Sequence, residues 1–171
     1  MTDEITVARG SADDLPSLAP LWIAVHHRHV EAMPELAPYV DDGASWTARE
    51  RLYAELLAKP DTVLLLARAS GALVGYGLAH VLPAADTWLA DTWRTAARIG
   101  EVESLGVLEG HREKGIGTRL LDGLEAALAA DGVEDLVLGA LPGNTHALRL
   151  YEQRGYRPTW VYLSRLRSAG R

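Results

Sequence analysis

One stretch constrains the fold of this chain more than any other: Ile99 to Leu128, IGEVESLGVLEGHREKGIGTRLLDGLEAAL. It begins with a mostly apolar run in which Glu101 and Glu103 stand at alternate positions, which on a strand puts both carboxylates on one side. It ends with Leu120, Leu121, Leu124, Ala127 and Leu128, spaced as one face of an amphipathic helix reaching Asp131-Gly132. Between the two lie Gly115 and Gly117, with Arg112, Glu113 and Lys114 beside them. Glycines at a helix start let the backbone approach a group that a Cβ would exclude. The free N–H groups of the first turn, aided by the helix dipole, attract anions. Strand, glycine turn and helix in this order predict a phosphate site.

Around this unit the period changes repeatedly. Ile5 and Val7 read as a short strand ending at Gly10. Ser11 is an N-cap followed by Asp13 and Asp14, and it opens a first helix. Leu15, Leu18, Leu21, Trp22 and Val25 carry that helix to about Arg28 or Val30. After a loop with Pro34, Pro38 and Asp41-Asp42, a second helix marked by Trp46, Leu52, Leu56 and Leu57 stops at Lys59-Pro60. TVLLLARASGALVGYGLAHVL contains two strands, about 62–69 and 72–82, joined by a hairpin at Ser70-Gly71. Residues 83–98 form a longer connection holding Trp88 and Trp93. VEDLVLGAL, 133–141, is a nearly continuous apolar strand, as expected where both faces are covered. Pro142-Gly143-Asn144 turns into a helix closed by Gly155, and YRPTWVYLSRL is expected as a last, edge strand because Pro158 cannot donate to a ladder. The order predicts an α/β fold, a single-domain mixed central sheet flanked by helices over 1–168, with a tail at 169–171.

Composition narrows the function classes. With 171 residues and 48% apolar content, a packed core is expected. The lack of cysteine excludes disulfides, thiolate zinc sites and a Cys nucleophile. A net charge of −6 argues against a general nucleic-acid binder while allowing a local basic pocket. The N-terminus lacks a signal-peptide pattern and no apolar run reaches membrane-spanning length, so a cytoplasmic location away from membranes is expected.

Three phosphate motifs can be set against the glycine turn. A P-loop needs a lysine where Ile116 stands, and a dinucleotide fingerprint needs a third glycine where Leu120 stands. The pattern that fits is Arg-x-x-Gly-x-Gly, met by Arg112, Gly115 and Gly117. About thirty residues later comes Asn-x6-Tyr-x3-Gly-Tyr, met by Asn144, Tyr151, Gly155 and Tyr156. In these paired motifs the chain resembles the GNAT superfamily of N-acetyltransferases. One departure is Glu113, which stands where that family usually has glycine.

The resemblance implies an acyl-CoA acyltransferase fold and acetyl-CoA as cosubstrate, its pyrophosphate lying on the amides of Glu113, Lys114, Gly115, Ile116, Gly117 and Thr118. Arg112, Lys114 and Arg119, flanked by His111, would supply the local positive field. The backbone around Leu105, Val107 and Leu108 would pair with the pantetheine arm like an added strand, and Asn144 would touch that arm. Asn144 also reads as a plain N-cap. Acetylating an amine requires a proton acceptor, since an alkyl ammonium titrates near ~10.4. Family members place a base at one of two strand positions, here Glu103 or Glu101; Glu103 is favoured, and Glu101 reads equally as a solvated or paired carboxylate. Tyr151 resembles the tyrosine that hydrogen-bonds or protonates the leaving thiolate, and reads otherwise as a packed aromatic.

The expected activity is N-acetyl transfer from acetyl-CoA to a primary amine of a small molecule or peptide, directly within a ternary complex. The alternative is a non-catalytic acyl-CoA-binding regulatory module on the same scaffold. A homodimer is a family-level expectation. No metal is expected: His26, His27 and His29 read as a solvated helix end, and the acids Glu31, Glu35, Asp41 and Asp42 as an ordinary surface loop. Trp88 and Trp93 read either as an acceptor pocket or as packing.

Overall fold

The computed structural model describes residues 4–166; the tail expected at 169–171 lies outside the described residues. Nine elements succeed one another: β1 (Ile5–Arg9), α1 (Ala19–Ala32), α2 (Asp42–Leu57), β2 (Val63–Ala69), β3 (Ala72–Pro83), β4 (Arg98–Val107), α3 (Ile116–Ala130), β5 (Leu136–Leu138) and α4 (Thr145–Gln153). The strands lie in the order β1-β2-β3-β4-β5, with the first four antiparallel to their neighbours and β5 parallel to β4. This is the mixed sheet flanked by helices that the periodicities predict.

The core has two layers, one on each face of the sheet. Val63, Leu65 and Ala67 of β2 pack against Leu120, Leu121, Leu124 and Leu128 of α3. The alternate residues of β2, Leu64 and Leu66, face Leu21 and Trp22 of α1 and Tyr53 and Leu56 of α2. An unbroken apolar run is what a strand covered on both sides requires. That property was expected of 133–141, yet β2 is the strand that carries it; β5 is only three residues long and half-buried.

Two other expectations are corrected. The first helix is not continuous from Ser11: Ala12–Leu18 is a 3-10 helix with a Ser11–Asp14 capping box, and the α-helix starts at Ala19. Pro20 accounts for the break, because it lacks the N–H that an α-helix running through from Pro16 would bond there. The last strand does not form either. Residues 156–166 are irregular, and Val161, Tyr162 and Leu163 are exposed. The adjoining edge of the sheet, β5, offers too short a ladder, Pro158 removes a donor, and Trp160 instead stacks on Trp88 at 5.6 Å.

Helix α2 is tied to the sheet through a buried hydroxyl group. Tyr53 donates to Ser104 Oγ (2.5 Å) and lies 2.8 Å from the Tyr76 hydroxyl, all three side chains being buried. Replacing Tyr53 by Phe removes the shared partner of the other two. We expect a loss of about 1–2 kcal/mol in urea unfolding, seen as a lower midpoint with an unchanged slope.

Candidate active site

Strand β4 is paired with β3 over Arg98–Val107, but with β5 only at Gly100, Glu101 and Val102. Past Val102 and Leu138 the parallel pair separates, leaving the β5-facing edge of β4 without a strand partner from Glu103 to Val107. A cleft of about 960 Å³ occupies the gap. Its walls come from β4, residues 139–141, the start of α3, α4, and the inward sides of α1 and α2.

One end of this cleft is the glycine turn. Glu113 (φ 62°) and Gly115 (φ 74°) are both left-handed. A turn of this kind gathers successive N–H groups into an anion-binding concavity. The first backward bond of α3 runs from Arg119 N–H to the Gly115 carbonyl, which leaves the N–H groups of Ile116, Gly117 and Thr118 open. A Cβ added at Gly117 would meet nothing nearer than Leu150 Cδ2, at 3.9 Å. The packing of the fold therefore does not require glycine there. Glu113 occupies a backbone conformation suited to glycine, so its departure from the family pattern carries a local conformational cost.

Toward the other end stands Glu103, positioned by a β-bulge. The β3–β4 register passes from Leu78 opposite Ser104 to Ala79 opposite Val102, which leaves Glu103 as the extra residue. A bulge turns two successive side chains the same way. Here both Glu103 and Ser104 meet α2: Glu103 Oε1 accepts from Arg49 Nη1 at 2.5 Å, and Ser104 bonds Tyr53 one helical turn on. Glu101 shares that side, as the alternation predicts. Both carboxylates approach the buried His80 of β3, whose Nε2 lies 3.3 Å from Glu101 and 3.9 Å from Glu103. These donor atoms lie close enough together to ligate a single cation, while the other oxygen of Glu103 is held by Arg49. Glu103 lines the cleft and Glu101 does not.

Helix α4 supplies the remaining pieces. Arg154 bridges Asp122 and Glu125 of α3, and Tyr156 donates to Glu125 at 3.0 Å, so α4 is fastened to α3. On its inner side Tyr151 lines the cleft, and burial raises the pKa of its phenol above the usual 10.0. Asn144 also borders the cleft while its Oδ1 caps the helix, accepting from Ala147 N–H at 3.3 Å. Gly143 lies directly against the Ala32 carbonyl at the end of α1, where a Cβ would collide with backbone.

The model of the Acetyltransferase (GNAT) family matches residues 22–156. The chain belongs to the GNAT acetyltransferase family. It is 30% identical over 152 residues to an IAA acetyltransferase of Azospirillum brasilense, covering 89% of this chain and 84% of that protein. Its fold is similar to a GCN5-related N-acetyltransferase from Ralstonia eutropha, with TM-score 0.74, 20% identity, and 95% and 99% of the two chains covered. A predicted acetyltransferase of Clostridium acetobutylicum, solved with acetyl-CoA, gives TM-score 0.68 at 18% identity over 94% and 96% of the chains. The cosubstrate of such a GNAT acetyltransferase is acetyl-CoA.

Of the residues named from sequence for this GNAT site, Leu105, Val107, Arg112, Glu113, Gly115, Ile116, Gly117, Thr118, Asn144, Tyr151 and Glu103 line the cleft. Lys114 and Leu108 do not; the Leu108 N–H bonds the Val74 carbonyl. Arg112 is tied by Nε to the Val107 carbonyl at 3.2 Å, and Arg119 reaches the Ile5 carbonyl instead of the cleft. Arg49 and Arg149 line the cleft and went unnamed, because single basic residues on helices carry no motif. Trp88 and Trp93 pack with Trp160 outside it. Among the histidines, His27 is exposed and pairs with Asp42 at 2.9 Å, whereas His26 is buried and bonds the Val40 carbonyl. Glu31 pairs with Arg28, and Asp41 caps α2, so the acidic loop is structural.

His29 is half-buried and lines the cleft; desolvation, then Arg49 and His26, lower its pKa from the ordinary 6.5. The unfolded chain therefore binds this proton more readily, and stability falls as pH drops through about 6.5 toward the folded value. His29→Gln should lose less stability than the parent between about pH 7 and pH 5, measured by urea midpoints.

Proposed function

We propose that this GNAT acetyltransferase transfers the acetyl group of acetyl-CoA directly to a primary amine of a small molecule or peptide, with both substrates bound together. The observation that carries this reading is the separation of β4 from β5 directly above the open amides of α3. An extended arm with amide groups can bond the free edge of β4 from Glu103 to Val107, while its diphosphate end meets the N–H groups of residues 116–118. Arg112 and Arg149 add positive charge along the same cleft. The donor supplies an activated thioester, and the chain's own side chains do the rest.

Glu103 accepts the proton that an ammonium must shed before its nitrogen can attack, directly or through one water. Compared with the ammonium, the amide product has lost two protons; one ends on the departing sulfur and the other leaves through Glu103 to solvent. An N–H on the β4 edge polarises the thioester carbonyl. Tyr151, its pKa raised by burial, remains a phenol at neutral pH. Since a simple thiol titrates near ~8.5, complete transfer from this phenol is uphill. Its role is therefore a hydrogen bond to sulfur as negative charge builds there. Without cysteine, no thioester to the enzyme can form. Glu101 lies outside the cleft beside His80, which favours Glu103 over it as the base.

A thiol-release assay with acetyl-CoA and an amine panel tests the proposal. Glu103→Gln should lower kcat by roughly 100-fold or more while calorimetric CoA affinity is kept. If CoA binds but no amine releases thiol, the protein is a non-catalytic acyl-CoA module. Gly117→Ala separates ligand from fold: an added methyl meets only Leu150 Cδ2 at ordinary contact distance and gains up to about 1 kcal/mol of helix propensity, so thermal stability should hold or rise. CoA affinity should fall in the same variant.

A further inference from the structure

The acceptor end of the cleft, past Glu103, is walled by Trp22, Arg28 and His29 of α1 and by Arg49 of α2. Arg49 is the unusual member. Its guanidinium carbon sits 3.9 Å above the Trp22 ring, and Trp22 is itself fixed by an Nε1 bond to the buried Ser45 hydroxyl at 2.9 Å. The Arg49 side chain is only 23% exposed. It spends one nitrogen, Nη1, on Glu103, and its Nη2 and Nε have no acceptor among the described residues. A planar cation held in place with an unused pair of donors is the geometry that reads a carboxylate with two parallel bonds.

We propose that the acceptor is an amino acid whose free carboxylate lies close to its amine, with Arg49 binding the carboxylate and Glu103 the ammonium. This rests on the acetyl-transfer reading above and adds the substrate class. The charge balance favours it over other amines. A zwitterion adds a carboxylate to the unused edge of Arg49 and an ammonium to Glu103, so the site stays neutral and neither side chain is left unmatched. A plain alkyl ammonium would leave a net positive charge beside a mostly buried guanidinium. A polyamine would bring further positive charge toward Arg28 and Arg49. Neighbouring charges do not alter this: Arg28 pairs with Glu31, and His29 is kept toward its neutral form by burial.

The contact between Arg49 and Glu103 also sets the spacing. Because these groups touch at 2.5 Å, a carboxylate on the open side of Arg49 lies within a short reach of an amine on Glu103. That matches an α- or β-amino acid rather than a long ω-amino acid. The carboxylate takes the edge of Arg49 that Glu103 does not use, so the Arg49–Glu103 contact stays in place and holds the base toward the amine.

The test compares thiol release from acetyl-CoA with three matched sets: free α- and β-amino acids, their carboxamides, and spermidine as a polyamine. Free amino acids should exceed their carboxamides by at least about 10-fold in kcat/KM, mostly through KM. In Arg49→Gln that ratio should fall close to unity, and Arg49→Lys should restore part of it. Should Arg49→Gln fail to fold, the comparison on the unaltered enzyme still decides. Equal or better turnover of carboxamides or spermidine overturns the inference while acetyl transfer stands. A preference for amino acids that survives Arg49→Gln overturns the role of Arg49. Failure to bind CoA would instead overturn the acetyl-transfer reading itself.

Discussion

The site depends on where a hydrogen-bond ladder stops. β4 and β5 run parallel for three residue pairs and then separate, while β4 continues to Val107 on its β3 partner. Backbone polar groups without partners are costly in a protein interior, so an unpaired length of strand is tolerated only where water or a ligand completes it. Every part of the proposed chemistry is arranged along that edge. The amide-rich turn stands at one end, Tyr151 on the α4 wall, and Glu103 and Arg49 at the other end. The two-layered core holds this opening in place. α3 packs beneath β2, β3 and β4, and α1 and α2 pack on the other face, while β5 adds only partly buried side chains.

A second constraint is the one-residue bulge at Glu103. Without it, Glu103 and Ser104 would face opposite sides of the sheet. With it, both meet α2, one turn of which delivers Arg49 to the carboxylate and Tyr53 to the hydroxyl. The buried hydroxyl cluster is structural and the ion pair beside it faces the cleft. Helix, bulge and acceptor wall are therefore one mechanical unit: the same residues that seat α2 on the sheet set the direction of the proposed base.

Much of this was legible in the residues. Strand, glycine turn and helix were plain because the spacing changes from two to 3.6 across Gly115 and Gly117, and the Asn144–Tyr156 motif placed α4 beside them. The shared side of Glu101 and Glu103 came from alternation alone. The bulge did not, since an extra residue leaves the pattern Glu-x-Glu unchanged and acts only on the partner register. Arg49 was hidden among the charges of a helix with a weak apolar face, and His80 within an apolar hairpin strand. TWVYLSRL looked like a strand because propensity reports what a segment favours, not whether an edge waits for it. Here the neighbouring edge is three residues of β5, and Trp160 finds aromatic company instead. Pro20 marked a helix start that the apolar spacing before it concealed.

The unpaired length of β4 has a consequence for the company this protein keeps. Open strand margins ordinarily lie at the rim of a sheet, where any passing polypeptide can dock and seed aggregation. This one is recessed between β4 and the short edge strand β5, flanked by α1, the head of α3 and α4. Whatever reaches this margin must first enter the cleft between those helices, so the fold shields it from the strand-to-strand docking that a bare rim invites.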